Sequence, residues 1–437
     1  MSAQAIMGSW SGKLNLAGQQ LGIEFVINNY GNTPQVLMNV PEQGAKGVPA
    51  KVNLLSKDSL KVAIEVIHAS YEGKIEGDVI IGNFMQSGMT FPLTLRHSEL
   101  ELVRPQTPTP PFPYETQEVT FENKKHAAKF HGTLTLPVNY KKGVKPAVLL
   151  FVTGSGIQDR DETIMGHKPF AVIADALAKA GFASFRYDDR GFGAKDAELK
   201  QMNITTELNV EDANCGLEWL RSQKQFSKIG ILGHSEGGTI AFMLGKNINF
   251  LISLAGGALP GDSILLNQNY DMLSMMYGPQ TAKDYCSIMA DVLTIKKTQQ
   301  GSFDDYETAS MKVASIQLKH NIKLPEDLSN NLAIVLSQND PWVLQFIKSN
   351  PSTALQGVKC PIMAIGGSKD IQVNAQKNLA AIKKLVPKDC QRFIKNYAGL
   401  NHLFQHCTTG IPNEYGTIQE TISPEVLNDI VNFIKSL

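Results

Sequence analysis

The segment Gly233-His-Ser235-Glu-Gly237 sets a serine between two glycines, after the apolar run Ile229-Gly-Ile-Leu232 and before the helical stretch Thr239 to Leu244. A serine in that pattern belongs on a sharp strand-to-helix turn, where crowding excludes a Cβ at the flanking positions and the hydroxyl is lifted above a sheet. The helix that follows aims unpaired backbone N–H groups at the same spot, where negative charge can be stabilised. A serine hydroxyl is too weakly acidic to attack unaided, so it needs a general base, and the base needs an orienting acid. Further along, Asp370 ends Met363-Ala-Ile-Gly-Gly-Ser-Lys-Asp370, and His402 follows Phe393-Ile-Lys-Asn-Tyr-Ala-Gly-Leu-Asn401, a strand running into a loop. Three strand ends thus deliver Ser235 as nucleophile, Asp370 as acid and His402 as base to one sheet edge.

Other residues compete for these roles. His406 lies four positions beyond His402 and further from the strand end. Asp340 precedes Pro341 and reads as a turn, whereas Asp389 follows Pro387-Lys388 on a surface before the last strand. His234 is expected to pack beneath the turn that carries Ser235. Acyl transfer also requires donors for an oxyanion. The backbone N–H of Glu236 is one candidate, and the loop Thr153-Gly-Ser-Gly156 offers Ser155 N–H as the second. The charged stretches Gly156-Ile-Gln-Asp-Arg-Asp-Glu162 and Tyr187-Asp-Asp-Arg-Gly-Phe-Gly193 either tie the surrounding loops together by ion pairs or form solvated turns. Gly191 and Gly193 lack the Gly-Lys-Ser/Thr continuation of a phosphate loop.

Such residues need a parallel sheet to hold them. Strand-length apolar runs at 147–152, 229–232, 250–254 and 361–365 alternate with helical patterns at 170–180 and 207–223, which predicts strand-helix-strand units. Segments 118–121 and 130–136 suggest an antiparallel lead-in hairpin. A closing helix starts at Ser423 as N-cap and Pro424, with Val426, Leu427, Ile430 and Ile434 on one face. Residues 262–355, rich in Met and Tyr, break the alternation and read as an inserted helical cap.

Upstream the texture differs. Ile23, Phe25 and Ile27 share one parity, as do Leu60, Val62, Ile64 and Val66, with Gly or Asn between the runs, at Asn28-Asn29, Gly31-Asn32, Gly44, Gly47, Gly73, Gly77 and Gly82. Residues 1–103 therefore predict a small all-β domain, a barrel or sandwich whose Trp10-Ser-Gly12 and Tyr71-Glu-Gly73 resemble lipocalin strands. Pro105, Pro108, Pro110, Pro111 and Pro113 mark residues 104–116 as a linker, leaving 117–437 for the sheet.

The 437 residues carry 41 Lys+Arg and 41 Asp+Glu, so the formal charge is zero. That balance argues against nucleic acid and anionic membrane surfaces as partners. No run of about 18 apolar residues suggests a membrane span. Cys215, Cys286, Cys360, Cys390 and Cys407 form no C-x-x-C pair, so neither a zinc site nor a disulfide framework is expected. Met1-Ser-Ala-Gln-Ala5 has the small-x-small form that ends an export signal, which points to a periplasmic or secreted protein, the alternative being a cytoplasmic one.

Residues 117–437 resemble the α/β-hydrolase superfamily, in particular bacterial serine esterases related to the prolyl oligopeptidase and dienelactone hydrolase branches. The resemblance rests on Thr-Gly-Ser-Gly156, Asp-Arg-Gly-Phe-Gly193, Gly-His-Ser-Glu-Gly237, Cys-Pro-Ile-Met-Ala-Ile-Gly-Gly-Ser-Lys-Asp370 and Leu-Asn-His402. It implies a mostly parallel doubly wound sheet with a helical cap, no metal or cofactor, and hydrolysis of carboxylic esters through an acyl-enzyme, while export together with an accessory β-domain suggests small-molecule or carbohydrate-linked esters as substrates. A peptidase of the prolyl oligopeptidase type and a thioesterase are the alternatives within the class. A binding protein on an inactive hydrolase scaffold is the alternative outside it. The oxyanion loop departs from the His-Gly-Gly form of many lipases, against a bulky lipase-like substrate.

Overall fold

The computed structural model describes residues 7–16, 19–30, 33–97, 104–195, 198, 202–298 and 303–437. The export reading of Met1 to Ala5 and the turn at Gly31-Asn32 lie outside the described residues. The chain divides into two compact units, one of residues 1–106, 164–167 and 411–420, the other of 107–163, 168–410 and 421–437.

The first unit is a closed antiparallel barrel. Its strands run in chain order: β1 (Gly8–Leu16), β2 (Gln19–Tyr30), β3 (Thr33–Val40), β4 (Ala45–Leu55), β5 (Ser59–Ile64), β6 (Ala69–Glu76), β7 (Val79–Gln86) and β8 (Met89–His97). Alternate residues point inward, as in β5, where Leu60, Val62 and Ile64 are buried between half-buried neighbours. The alternation stops there, because Val66 falls in a 3-10 turn, Glu65–Ile67, and is exposed. Closure pairs Trp10 with His97 and Ser11 with Arg96, which removes the sheet edges. The interior is filled by Trp10, Phe25, Tyr71 and Phe84, and the Tyr71 hydroxyl lies 3.1 Å from the carbonyls of both Ile80 and Leu93. Segments 164–167 and 411–420 join this unit through Arg104, whose Nη2 donates to the Met165 and Gly416 carbonyls at 2.8 Å each. His167 Nε2 lies 2.8 Å from the Tyr415 carbonyl, and burial pushes this imidazole down to a pKa of about 4.

The second unit is built on an eight-stranded sheet. Chain order gives β9 (Thr116–Asn123), β10 (Ala128–Thr135), β11 (Val148–Val152), α1 (Pro169–Lys179), β12 (Ala183–Tyr187), α2 (Thr206–Ser222), β13 (Ile229–His234), α3 (Glu236–Leu244) and β14 (Phe250–Leu254). Then come α4 (Gly261–Tyr277), α5 (Pro279–Thr298), α6 (Tyr306–His320), α7 (Glu326–Ser337), α8 (Pro341–Lys348) and α9 (Ser352–Gln356), followed by β15 (Ile362–Gly367), α10 (Ala375–Leu385), β16 (Arg392–Tyr397) and α11 (Pro424–Lys435). The spatial order is β16-β15-β14-β13-β11-β12-β10-β9, parallel from β12 to β16 and antiparallel in the β9–β10 lead-in.

Burial on both faces explains the unbroken apolar runs. In β11, Val148, Leu150 and Val152 enter a core closed by Leu217, Phe242 and Leu379, while Leu149 and Phe151 enter one closed by Phe170, Val426 and Ile430. Each such side chain contributes about 1.5–3 kcal/mol on burial. Ser423 stands at the N-cap of α11, but its side chain makes no capping hydrogen bond. The helices between β14 and β15 have a core of their own, including Tyr285, Ile288, Val313, Leu332 and Ile347.

Candidate active site

Ser235 occupies the turn between β13 and α3 with φ 53° and ψ −117°, a conformation costly for any residue with a Cβ. Two features hold it there. Ser235 N donates to the Leu254 carbonyl at 2.8 Å, and the flanking glycines let backbones meet. A Cβ on Gly233 would lie 2.0 Å from the Gly237 carbonyl oxygen, and one on Gly237 would lie 2.1 Å from that of Val152. The serine is half-buried and begins α3, whose first N–H groups, Glu236 among them, have no partner within the helix.

Asp370 and His402 meet because β15 and β16 are parallel neighbours ending at the same edge as β13. His402 Nδ1 lies 2.7 Å from Asp370 Oδ2, and both side chains are buried. The other carboxylate oxygen of Asp370 accepts the Gln372 and Val373 amides at 2.9 Å each, which fixes its orientation. His402 rides on a tight loop cinched by Asn401, whose Oδ1 accepts the Leu403 and Gln405 amides at 3.0 Å. His406 is exposed and pairs across this loop with Leu400. Asp340 caps α8 by accepting the Val343 amide at 3.1 Å, and Asp389 is exposed.

The loop after β11 is held from beneath. Glu162, buried and at φ 53°, accepts the Gly154 amide at 2.7 Å and lies 2.9 Å from His234 Nδ1. His234 Nε2 in turn lies 3.0 Å from the His402 carbonyl, so this imidazole packs under the turn. Burial opposes its charge, but the Glu162 carboxylate outweighs that and holds its pKa above the ordinary value. Asp189 accepts the Thr153 hydroxyl at 2.7 Å and the Gln158 amide at 2.9 Å. Burial pushes its carboxyl up to about 8, and Glu162 and Glu236 add repulsion to what those donors only partly offset. Ser155 at the loop's tip is exposed.

Of the two readings of the charged stretches, the ion-pair one is what the fold contains. Arg160 grips Asp188 through Nε at 3.0 Å and Nη2 at 2.6 Å, Arg186 pairs with Asp161, and Arg190 grips Asp212 at 2.9 and 2.5 Å. Gly191 and Gly193 adopt φ 81° and 79° in the turn between them.

Three participants escape sequence reasoning: Glu162 and Glu236 as buried carboxylates, and Trp342. Glu236 is 6% exposed and its side chain accepts the Thr206 hydroxyl at 2.6 Å and the Trp342 indole N–H at 3.0 and 3.1 Å. Trp342, one of three tryptophans in the chain, follows Asp340-Pro341 at a helix start, which was its one visible signal. It lines a cleft of about 560 Å³ with Ser155, Gly156, Ile157, Ile204 and Asp340. Among the described residues, no group of three or more His, Cys, Asp or Glu side chains could hold a metal ion, and no helix is long and apolar enough to cross a membrane.

The strand order, the sharp turn at Ser235 and the buried Asp370–His402 pair at one sheet edge are the architecture of an α/β-hydrolase fold. Residues 167–255 match the family described as "Serine aminopeptidase, S33". The esterase EstD of Thermotoga maritima is 26% identical over 273 residues, covering 62% of this chain; the chain spans 57% of that relative's length. Among solved structures, Est1E from Butyrivibrio proteoclasticus aligns with TM-score 0.41 at 14% identity, covering 73% of this chain and 98% of its own. A proline iminopeptidase from Mycobacterium smegmatis aligns with TM-score 0.43 at 14% identity, with the same two coverages, 73% and 98%. These two structural likenesses, at TM-scores of 0.41 and 0.43, bear on neither activity nor substrate.

Proposed function

We propose that this chain is a serine carboxylesterase acting on small-molecule or carbohydrate-linked esters. Ser235 Oγ attacks the ester carbonyl while His402 accepts its proton, and Asp370 orients the imidazole and stabilises its charged form. The oxyanion is held by the N–H groups of Glu236 and Ser155. His402 then protonates the leaving alcohol, and water attacks the acyl-enzyme with the same base. The observation that carries this reading is the buried 2.7 Å contact between His402 Nδ1 and Asp370 Oδ2 at the sheet edge where the strained Ser235 sits. The likeness to EstD, named an esterase, supports the ester over the amide.

A fluorophosphonate probe should label Ser235, and Ser235→Ala should lose both labelling and p-nitrophenyl ester hydrolysis. Folded protein that resists the probe and leaves every ester intact contradicts the proposal. A peptidase is the second reading, favoured by the description of the family matching residues 167–255. Faster turnover of amino-acid p-nitroanilides than of esters would establish it.

A further inference from the structure

Trp342 stands where two clefts of the hydrolase unit adjoin. The first, about 560 Å³, carries Ser155 of the oxyanion loop and is lined by Ile157, Ile204 and the Trp342 side chain. The second, about 480 Å³, is lined by Glu236, Thr206, Met243 and Phe346, with Lys246 and Lys348 also on its wall. Trp342 and Phe346 stack with ring centroids 5.0 Å apart and planes 12° from parallel, so one ring of the pair faces each cleft. The stack is pinned at its inner end, because the indole N–H lies 3.0 and 3.1 Å from the two oxygens of Glu236, the residue beside Ser235. Thr206 holds the same carboxylate from the second cleft at 2.6 Å. A charged acceptor fixes a ring more firmly than packing alone. The two clefts are therefore separated by a wall made of one aromatic pair and one carboxylate.

The position of the wall says which part of an ester it meets. The leaving alcohol must face His402, which rises from the β15–β16 side of Ser235, whereas Ser155 follows β11 on the other side. The first cleft, which Ser155 lines, thus takes the acyl part.

We propose that Trp342 is a specificity-determining residue that closes the acyl cleft against the second chamber and restricts the enzyme to short acyl chains. The proposal rests on the esterase reading above. Both chambers have apolar walls, Ile157 and Ile204 in one and Met243 and Phe346 in the other, so removing the wall would leave a continuous channel suited to a longer alkyl chain.

The test uses the full chain with p-nitrophenyl esters from acetyl to decanoyl. For Trp342→Ala, the ratio of kcat/KM for decanoyl to that for butyryl should rise at least about tenfold over wild type, the scale on which a few methylenes discriminate in an apolar pocket. Phe346→Ala, which removes the other ring, should raise it in the same direction and decides the matter if Trp342→Ala does not fold. Trp342→Phe keeps a ring in the wall and should hold the wild-type profile. An unchanged ratio in the alanine variants, with Ser235-dependent hydrolysis intact, overturns the proposal alone. A phenylalanine variant that shifts as far as alanine overturns it too. A wild-type protein that hydrolyses no ester and resists fluorophosphonate at Ser235 instead overturns the esterase reading.

Discussion

His234 Nδ1 lies 2.9 Å from Glu162 Oε1, with both side chains buried. The same oxygen takes the Gly154 amide at 2.7 Å, and the far nitrogen of the imidazole lies 3.0 Å from the His402 carbonyl. One carboxylate oxygen thus couples the proposed oxyanion loop, the turn under Ser235 and, through the imidazole, the loop of the proposed base. With both ring nitrogens set against acceptors, the arrangement favours the doubly protonated imidazole, consistent with its raised pKa.

Glu162→Ala should therefore act at two levels. Leaving a buried His234 without its carboxylate should destabilise the fold by about 3 kcal/mol, and loosening Gly154 should lower kcat/KM about tenfold. Denaturant unfolding and ester kinetics on the folded fraction separate the two. In wild type the His234 contribution to stability is present below the ordinary imidazole pKa and fades as pH rises through the raised one. The variant should lack that dependence.

Asp370→Asn should keep the fold and lose the chemistry. The amide oxygen can still accept the Gln372 and Val373 N–H groups, but the amide nitrogen would present a donor to His402 Nδ1 and force the wrong tautomer. A fall in kcat of about 10⁴ is expected, with little change in melting temperature.

Ser235→Gly should be inactive yet more stable than wild type. A residue with a Cβ at φ 53°, ψ −117° costs about 1–3 kcal/mol, whereas glycine there loses only about 0.5–1 kcal/mol to backbone entropy. The net gain, about 1 kcal/mol, is readable by thermal unfolding.

Asp189 makes stability depend on pH in a defined direction. Its folded pKa, about 8, exceeds the usual carboxyl value, so between roughly pH 4 and pH 8 the native state holds a proton that the unfolded chain has released. Stability from this group should fall as pH rises through that window. Asp189→Asn keeps an acceptor for Thr153 and Gln158 and should flatten the profile, as measured by urea unfolding at pH 5, 6.5 and 8.

Much of the sheet and three proposed site residues were legible because each depends on local pattern. Ser235, Asp370 and His402 all follow apolar strands, and parallel strands must end on one edge. The closing helix was legible from Pro424 and its apolar spacing, though Ser423 caps it by position only. Val66 shows the limit of alternation, since a 3-10 turn ends the strand one residue pair early. Glu162 and Trp342 were illegible for a different reason. Glu162 meets His234 from 72 residues away, and Trp342 meets Glu236 from 106 away, so nothing local distinguishes them from surface residues.

The barrel unit raises a practical matter for anyone cutting the gene. Arg104 fastens Met165 and Gly416 to the same guanidinium, so the polypeptide returns to this unit twice after leaving it. Excising residues 1–106 would strip those two returning segments of their partner and bare the buried His167 region. The chain is thus modular in architecture but interlaced in sequence. Grafting or swapping the barrel calls for carrying residues 164–167 and 411–420 along with it.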